Sequence, residues 1–247
     1  MNNFNVVIPA RYDSTRYPGK SLAKINGKSM IEHVWINATK SNANEVIIAT
    51  DDKRIYTTAE NFGANVLMTS NNHASGTDRV CEAAVKLRWS ENQVIINVQG
   101  DEPMLSHETI NECAELFDDP LVDIATLASP LQSIKDWNDP NIVKVLIDHN
   151  LFAIYFSRSP LPYSRTEMSN IEGSDFVLHH HGIYGYKLNV LKFISELDVA
   201  KIEKLEGLEQ LRVLCNGLKI KVGRTTKRPG PSVDVKSDVI LIENLLN

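Results

Sequence analysis

Cysteine is scarce. Cys81, Cys113 and Cys215 are the only ones in 247 residues, and no two stand in a CxxC spacing. An odd count so spaced argues against a disulfide framework and against a zinc site, and leaves free thiols in a reducing compartment as the expectation. Basic runs are also missing. Lys and Arg number 26 against 31 Asp and Glu, giving a net charge of −5, so no footprint for a polymeric nucleic acid is present. No apolar run reaches membrane-spanning length, and the chain opens on a strand pattern rather than a signal peptide. A cytoplasmic, soluble protein with no membrane partner is expected. Neither GxGxxG nor GxxxxGK[ST] occurs, so the dinucleotide fingerprint and the Walker loop are both absent. No internal repeat or low-complexity segment is found.

What is present reads as one large α/β domain, with 43% apolar and 23% charged residues. Strands are expected at 4–10, 44–51, 64–70, 94–99 and 123–129. Between them fall helices at 29–42, at 52–62 closed by Gly63, after 76, and at 106–118. That alternation predicts a mostly parallel twisted sheet with helices on both faces. The rhythm stops near residue 130. Residues 141–158 read as an antiparallel hairpin turning at 148–150, 163–175 as an irregular exposed stretch, and 177–187 as a further strand. The expectation is a single domain over 1–247, with a smaller mixed α/β region at about 131–200. Helices at 189–197 and 201–216, a late strand from Lys219 and a closing helix from about 236 complete the chain.

The chemistry is centred on VIINVQGDEP, residues 94–103. A buried strand runs into a glycine turn and leaves Asp101 at its carboxyl end, where ligands bind in open α/β sheets. Gly100 permits close backbone approach, and a hard acid there suits magnesium carrying nucleotide phosphates. An ordinary strand-ending turn has the same composition. After the first strand, ARYDSTRYPGKSL places Arg11, Arg16 and Lys20 among Ser, Thr and Gly. This is either a polyphosphate cradle or a solvated basic loop. In NNHASGTDR, Ser75 or Thr77 reads as a helix cap, or as a reader of a base edge with Arg79 beside it. His179, His180 and His181 alternate on a strand, so either His179 with His181, or His180 alone, faces a site. In the 201–216 helix, Leu205, Leu208, Leu211 and Leu214 form an apolar stripe. Glu209 and Gln210 beside it read as a solvated face.

Taken together, IPARYDSTRYPGKSL, HASGTDR, NVQGDEP, YFSRSPLP, HHHGIYGY, LEGLEQLRVL and the late SVD resemble, in order and spacing, the bacterial 3-deoxy-manno-octulosonate (Kdo) cytidylyltransferases, the CMP-Kdo synthetases of lipopolysaccharide synthesis. The resemblance runs from residue 5 to about 243. It implies a nucleotide-diphospho-sugar transferase-like fold, a homodimer with a small dimerisation region, and a nucleotidyltransferase that joins CTP and Kdo with Mg2+ and releases pyrophosphate. By motif, Arg11 and Lys20 would hold the CTP phosphates and act in catalysis with Asp101, and Arg16 belongs to the same loop. Ser75, Arg79 and Gln99 would seat nucleotide or sugar. Asp101 and Asp234 would ligate the metal. Arg158, His180, Glu209 and Gln210 would bind Kdo, which displaces the solvated-face reading of the last two. A cytidylyltransferase for 8-amino-Kdo or another acidic sugar, and a non-catalytic nucleotide-binding protein, are the competing readings. Loss of either acid would favour the second, and both acids are present. The chain departs from the family at Ala74 and Asp78, which replace Gln and Glu. It departs also at His181, which replaces an apolar residue, and at residues 235–238, where the Pro suited to a helix start is missing.

Overall fold

All seven residues of Phe4–Ala10 are buried, as expected of a strand in the middle of a sheet covered on both faces. In the computed structural model, which describes residues 3–14, 16–165, 176–228 and 230–246, this strand is β1. It is followed by β2 (Lys24–Ile25), β3 (Lys28–Ser29), β4 (Val46–Thr50), β5 (Asn65–Met68), β6 (Val94–Asn97), β7 (Ile124–Pro130), β8 (Lys144–Ile147), β9 (Ala153–Ser157), β10 (Val177–Lys187) and β11 (Lys221–Arg224). The helices are α1 (Met30–Ala38), α2 (Lys53–Asn61), α3 (Gly76–Lys86), α4 (His107–Glu115), α5 (Ile134–Asn138), α6 (Leu188–Ser195), α7 (Lys201–Glu206), α8 (Gln210–Cys215) and α9 (Lys236–Leu245). The irregular stretch expected at 163–175 lies outside the described residues from 166 onward.

The main sheet runs β11-β7-β10-β6-β1-β4-β5, with β8 and β9 attached at β10. β1 pairs in parallel with β4 and β6, β4 with β5, and β7 with β11. Alternation along β1 supplies both faces of the core. Val6 and Ile8 pack with Ile31 and Val34 of α1, Ile55 of α2 and Ile110 of α4. On the other face Val7 packs with Val80 of α3, Leu191 of α6 and Leu211 of α8. Each such fully buried aliphatic side chain contributes about 1.5–3 kcal/mol. The sheet is therefore mostly parallel with helices on both faces.

Helix starts follow local chemistry. Glu32 accepts from the Ser29 N–H at 3.4 Å at the start of α1, and Asp52 accepts from the backbone N–H of Arg54 and Ile55 at the start of α2. Gly63 leaves α2 at φ 85°.

Three features differ from the sequence reading. β10, grouped with the region at 131–200, runs antiparallel through the middle of the main sheet, between β6 and β7. The helix expected over 201–216 is two helices, because Gly207 takes φ 63° and turns the chain. The turn breaks the leucine stripe: Leu205 is 86% exposed, while Leu208 and Leu211 are buried. Third, a bulge shifts the pairing of β10 with β7 between His180 and Tyr184, and side-chain alternation is kept across it. The His179 and His181 rings lie together, 5.6 Å apart, while the His180 ring lies against Phe156 and Tyr184, which is the alternate facing expected from sequence; all three residues border one cavity.

Candidate active site

The parallel strands end along one edge of the sheet, and the site is assembled there. After β6 the chain turns at Gly100, where a Cβ would stand 2.8 Å from the Pro9 carbonyl oxygen at the end of β1. Only glycine lets the two backbones approach so closely. The turn leaves Asp101 facing the loop that follows β1. Lys20 on that loop donates to Asp101 Oδ2 at 2.5 Å and to the Val233 carbonyl at 2.9 Å, and its ammonium lies 3.9 Å from Asp234 Oδ1. Arg16 reaches Asp234 at 2.8 Å. The Val233 N–H in turn donates to the Asp101 carbonyl. Loop, turn and C-terminal segment thus meet at one point. The missing helix-start proline does not disturb this. Asp238 accepts from the N–H groups of Asp234 and Val235, both at 2.8 Å, and opens α9 in its place.

Two cavities share this point. The first, about 320 Å3, is lined by Arg11, Arg16, Lys20, Ser75, Arg79 and Gln99 together with Asp101 and Asp234. The second, about 760 Å3, is lined by Arg158, His180, Glu209 and Gln210, again with Gln99 and Asp101. All twelve site residues expected from sequence therefore border one cavity or the other. Their side chains are not equally free. Arg11 is exposed and has no side-chain partner among the described residues. Arg79 is buried and spends its guanidinium on Asp51, at 2.6 Å, and on Thr69. Ser75 caps α3, accepting from the Asp78 N–H, while Asp78 accepts from the Ser75 N–H. The shorter acid at 78 thus closes the capping box, and Asp51 at the end of β4 holds Arg79.

In the second cavity the polar groups are already engaged. Thr126 of β7 has one hydroxyl proton, which it donates to the Ile183 carbonyl at 2.7 Å inside the β10 bulge. His180 Nε2, 3.0 Å from the same oxygen, must then carry its own proton and donate. Its Nδ1 is left as an acceptor. Burial holds His180 well below the usual histidine range, so the ring is neutral. Burial also raises Glu209, while hydroxyls of Thr77 and Ser75 draw it back. Arg158 donates from Nε to the Glu206 carbonyl and from Nη1 to the Pro140 carbonyl.

Sequence reasoning left Glu102 unassigned. It borders the second cavity, and a Cβ on Gly182 would stand 2.9 Å from its Oε1. Burial, then the charge of Asp101, pushes its pKa up to about 8, so at neutral pH it is mostly the uncharged acid. Adjacency to Asp101 was the available signal. Asp51, Thr126 and Glu206 were missed as well. Of these only Asp51, at a strand end, carried a sequence cue.

Parallel strands that bring a cationic loop and two carboxylates to the mouth of two joined cavities define a nucleotidyltransferase. A family model described as cytidylyltransferase matches residues 5–220. A 3-deoxy-manno-octulosonate cytidylyltransferase of Francisella tularensis subsp. holarctica is 44% identical, with 100% of both chains covered. One of Thermodesulfovibrio yellowstonii is 44% identical over 98% of this chain and 97% of its own. The solved structure of a CMP:2-keto-3-deoxy-manno-octonic acid synthetase complexed with CTP superposes with a TM-score of 0.91 at 38% identity, covering 99% of this chain and 98% of that one. A 4-diphosphocytidyl-2C-methyl-D-erythritol synthase from Anaerococcus prevotii has a TM-score of 0.61 at 12% identity, covering 99% of this chain and 98% of its own, and so shares the fold. The chain belongs to the cytidylyltransferase family, in the branch of the 3-deoxy-manno-octulosonate cytidylyltransferases.

Proposed function

We propose that this chain joins CTP and Kdo to give CMP-Kdo and pyrophosphate. The observation that carries the reading is the shared wall: Gln99 and Asp101 border both cavities, so a nucleotide in one and a sugar in the other would meet at Asp101. The triphosphate belongs in the first cavity, where Arg11, Arg16 and Lys20 offset its charge and that of the departing pyrophosphate. The sugar belongs in the second. Arg158 faces its carboxylate, the free Nδ1 of His180 accepts from one of its hydroxyls, and Glu209 and Gln210 take others. The anomeric 2-hydroxyl oxygen forms a bond to the α-phosphorus as the bond to the β-phosphate oxygen breaks, and the hydroxyl proton leaves to solvent or a nearby base. Most of the rate gain comes from holding the two reactants in line.

Mg2+ fits the residues present. Asp101 and Asp234 both face the Lys20 ammonium, at 2.5 and 3.9 Å, so a cation is already accommodated between two hard oxygen donors. Among the described residues no group of three or more His, Cys, Asp or Glu could hold a metal. Substrate phosphates and water would complete the shell, as is usual for this ion. When bound, the metal would neutralise phosphate charge and acidify the attacking hydroxyl.

The same reading makes the chain a cytoplasmic homodimer that activates Kdo for lipopolysaccharide. No helix among the described residues is long and apolar enough to cross a membrane. Among the described residues β9 pairs with no strand but β8; the 220–222 segment bonds only the first residue of β9 and those before it, and Ile154, its second residue, is 60% exposed, which leaves the rest of the edge for a second copy. Light scattering on the purified chain measures the dimer. The deciding experiment is pyrophosphate release with CTP and a panel of acidic sugars, with and without Mg2+. Kdo with CTP and Mg2+ should be the fastest combination, and equal release with every sugar would defeat the assignment.

A further inference from the structure

Lys144 is among the largest fully buried side chains of the described residues, at 0% exposure. It opens β8, on the face opposite the core residues Val145 and Ile147, yet is buried. Its ammonium makes no ion pair among the described residues. Instead its three N–H groups donate to three backbone carbonyls: Asp139 at 2.9 Å, Ile142 at 2.7 Å and Arg158 at 2.6 Å. Burying an ammonium costs several kcal/mol before such bonds offset it, and an apolar side chain of similar size would avoid that cost. The fold therefore retains this cation against a cheaper alternative, which directs attention to what the three carbonyls hold.

They hold both ends of one clamp. The first two flank Pro140, whose own carbonyl accepts from Arg158 Nη1 at 3.0 Å. The third belongs to Arg158 itself. From the opposite side, Glu206 accepts from the Arg158 backbone N–H at 2.9 Å and offers its carbonyl to Arg158 Nε at 2.8 Å, while Ser157 Oγ donates to the Glu206 carboxylate at 2.7 Å. A guanidinium has five donors in a fixed plane. Two are engaged, and Nη2 has no partner among the described residues. Arg158 borders the second cavity. Fixing the backbone and two guanidinium nitrogens fixes the plane in which the remaining donors meet a carboxylate.

We propose that Lys144 is a positioning residue for sugar recognition: through the Arg158 carbonyl and the 139–142 loop, it sets the orientation in which the Arg158 guanidinium receives the substrate carboxylate. The proposal rests on the assignment of Arg158 to the sugar. It is tested by steady-state kinetics on the full chain with CTP, Kdo and Mg2+, for Lys144→Met, Arg158→Ala and the double variant. Lys144→Met should raise KM for Kdo by about tenfold, the scale of one charged hydrogen bond, with KM for CTP unchanged. The double variant should be no worse than Arg158→Ala alone, because residues in one network do not add. A purely structural lysine would move both KM values together, or would multiply with Arg158→Ala, and either result overturns the proposal. An Arg158→Ala enzyme with unchanged KM for Kdo removes the Arg158 assignment and the proposal together. A raised KM there with an unaffected Lys144→Met enzyme removes only the proposal. Should Lys144→Met fail to fold, Lys144→Gln retains two donors and carries the same test, with a severalfold rise in KM for Kdo expected and an unchanged value overturning it.

Discussion

The two joined cavities are built on opposite plans. Around the first, Lys20 and Arg79 are held by carboxylates, but two arginines stand wholly or partly free. Arg11 is exposed, and Arg16 is 66% exposed although paired with Asp234. They sit on a loop after β1, among strands that all run parallel. Around the second, polar groups are bound to the framework: His180 to Thr126, His181 to Ser129, Arg158 to Glu206 and Pro140. Several of these groups come from β10, the antiparallel strand, and from the hairpin beside it. The difference matches what the proposed function asks of each cavity. A triphosphate is met by charge, which tolerates movement. One hydroxylated acid is told from another by fixed donors and acceptors, which does not.

The sharpest way to break this comparison is at the shared wall. Asp101→Asn should lower kcat by about 100- to 1,000-fold, as loss of a charge-stabilising group at the reacting centre does, with an unchanged circular dichroism spectrum. Near-normal turnover would take the seam out of the chemistry. Next, Arg158→Ala should raise KM for Kdo by roughly 10- to 100-fold, the range for a charged hydrogen bond, and leave KM for CTP alone. Equal effects on both substrates would erase the division between the cavities.

His181 tests the rigidity of the second cavity. Burial, with a smaller push from His179, lowers its pKa from 6.5 to about 3. Its folded pKa lies below its unfolded one, so its contribution to stability is fully present above about pH 6.5 and is lost as pH falls toward 3. Its Nδ1 is buried with no partner among the described residues. His181→Leu should therefore flatten the stability loss between pH 7.5 and 5 by about 2 kcal/mol, read from urea midpoints at the two values. The difference is the observable, because the variant also removes the bond to Ser129. The smallest effect belongs to the first cavity. Arg16→Ala should raise KM for CTP by roughly two- to fivefold, less at high salt, since exposed charges are screened. A large, salt-independent effect would show that this loop is as fixed as the sugar side.

Much of the first cavity was legible in the sequence. Gly100 and Asp101 follow a buried strand, and Arg11, Arg16 and Lys20 lie within ten residues of another strand's end. Both patterns are local, so turn chemistry and charge density reveal them. The second cavity was less so. Gly207 reads as one glycine inside a periodic helix, yet it redirects the chain and turns Glu209 toward the cavity. The bulge beside the histidine triplet depends on the partner strand, β7, and leaves no mark in β10 alone. Lys144 in a strand pattern looks like an outward residue, and only packing shows it inside.

Sequence alone determined the main strands, the helix cap at Ser75, the acidic balance, and the family motifs. These follow from preferences that act over a few neighbouring residues. Tertiary structure decided that β10 passes between β6 and β7, that Asp234 returns to Lys20 and Asp101, that Arg79 is held by Asp51, and that three carbonyls converge on Lys144. Such meetings join residues far apart in the chain. They depend on how the layers pack and on the need of every buried polar group for a partner, conditions that no short stretch of sequence contains.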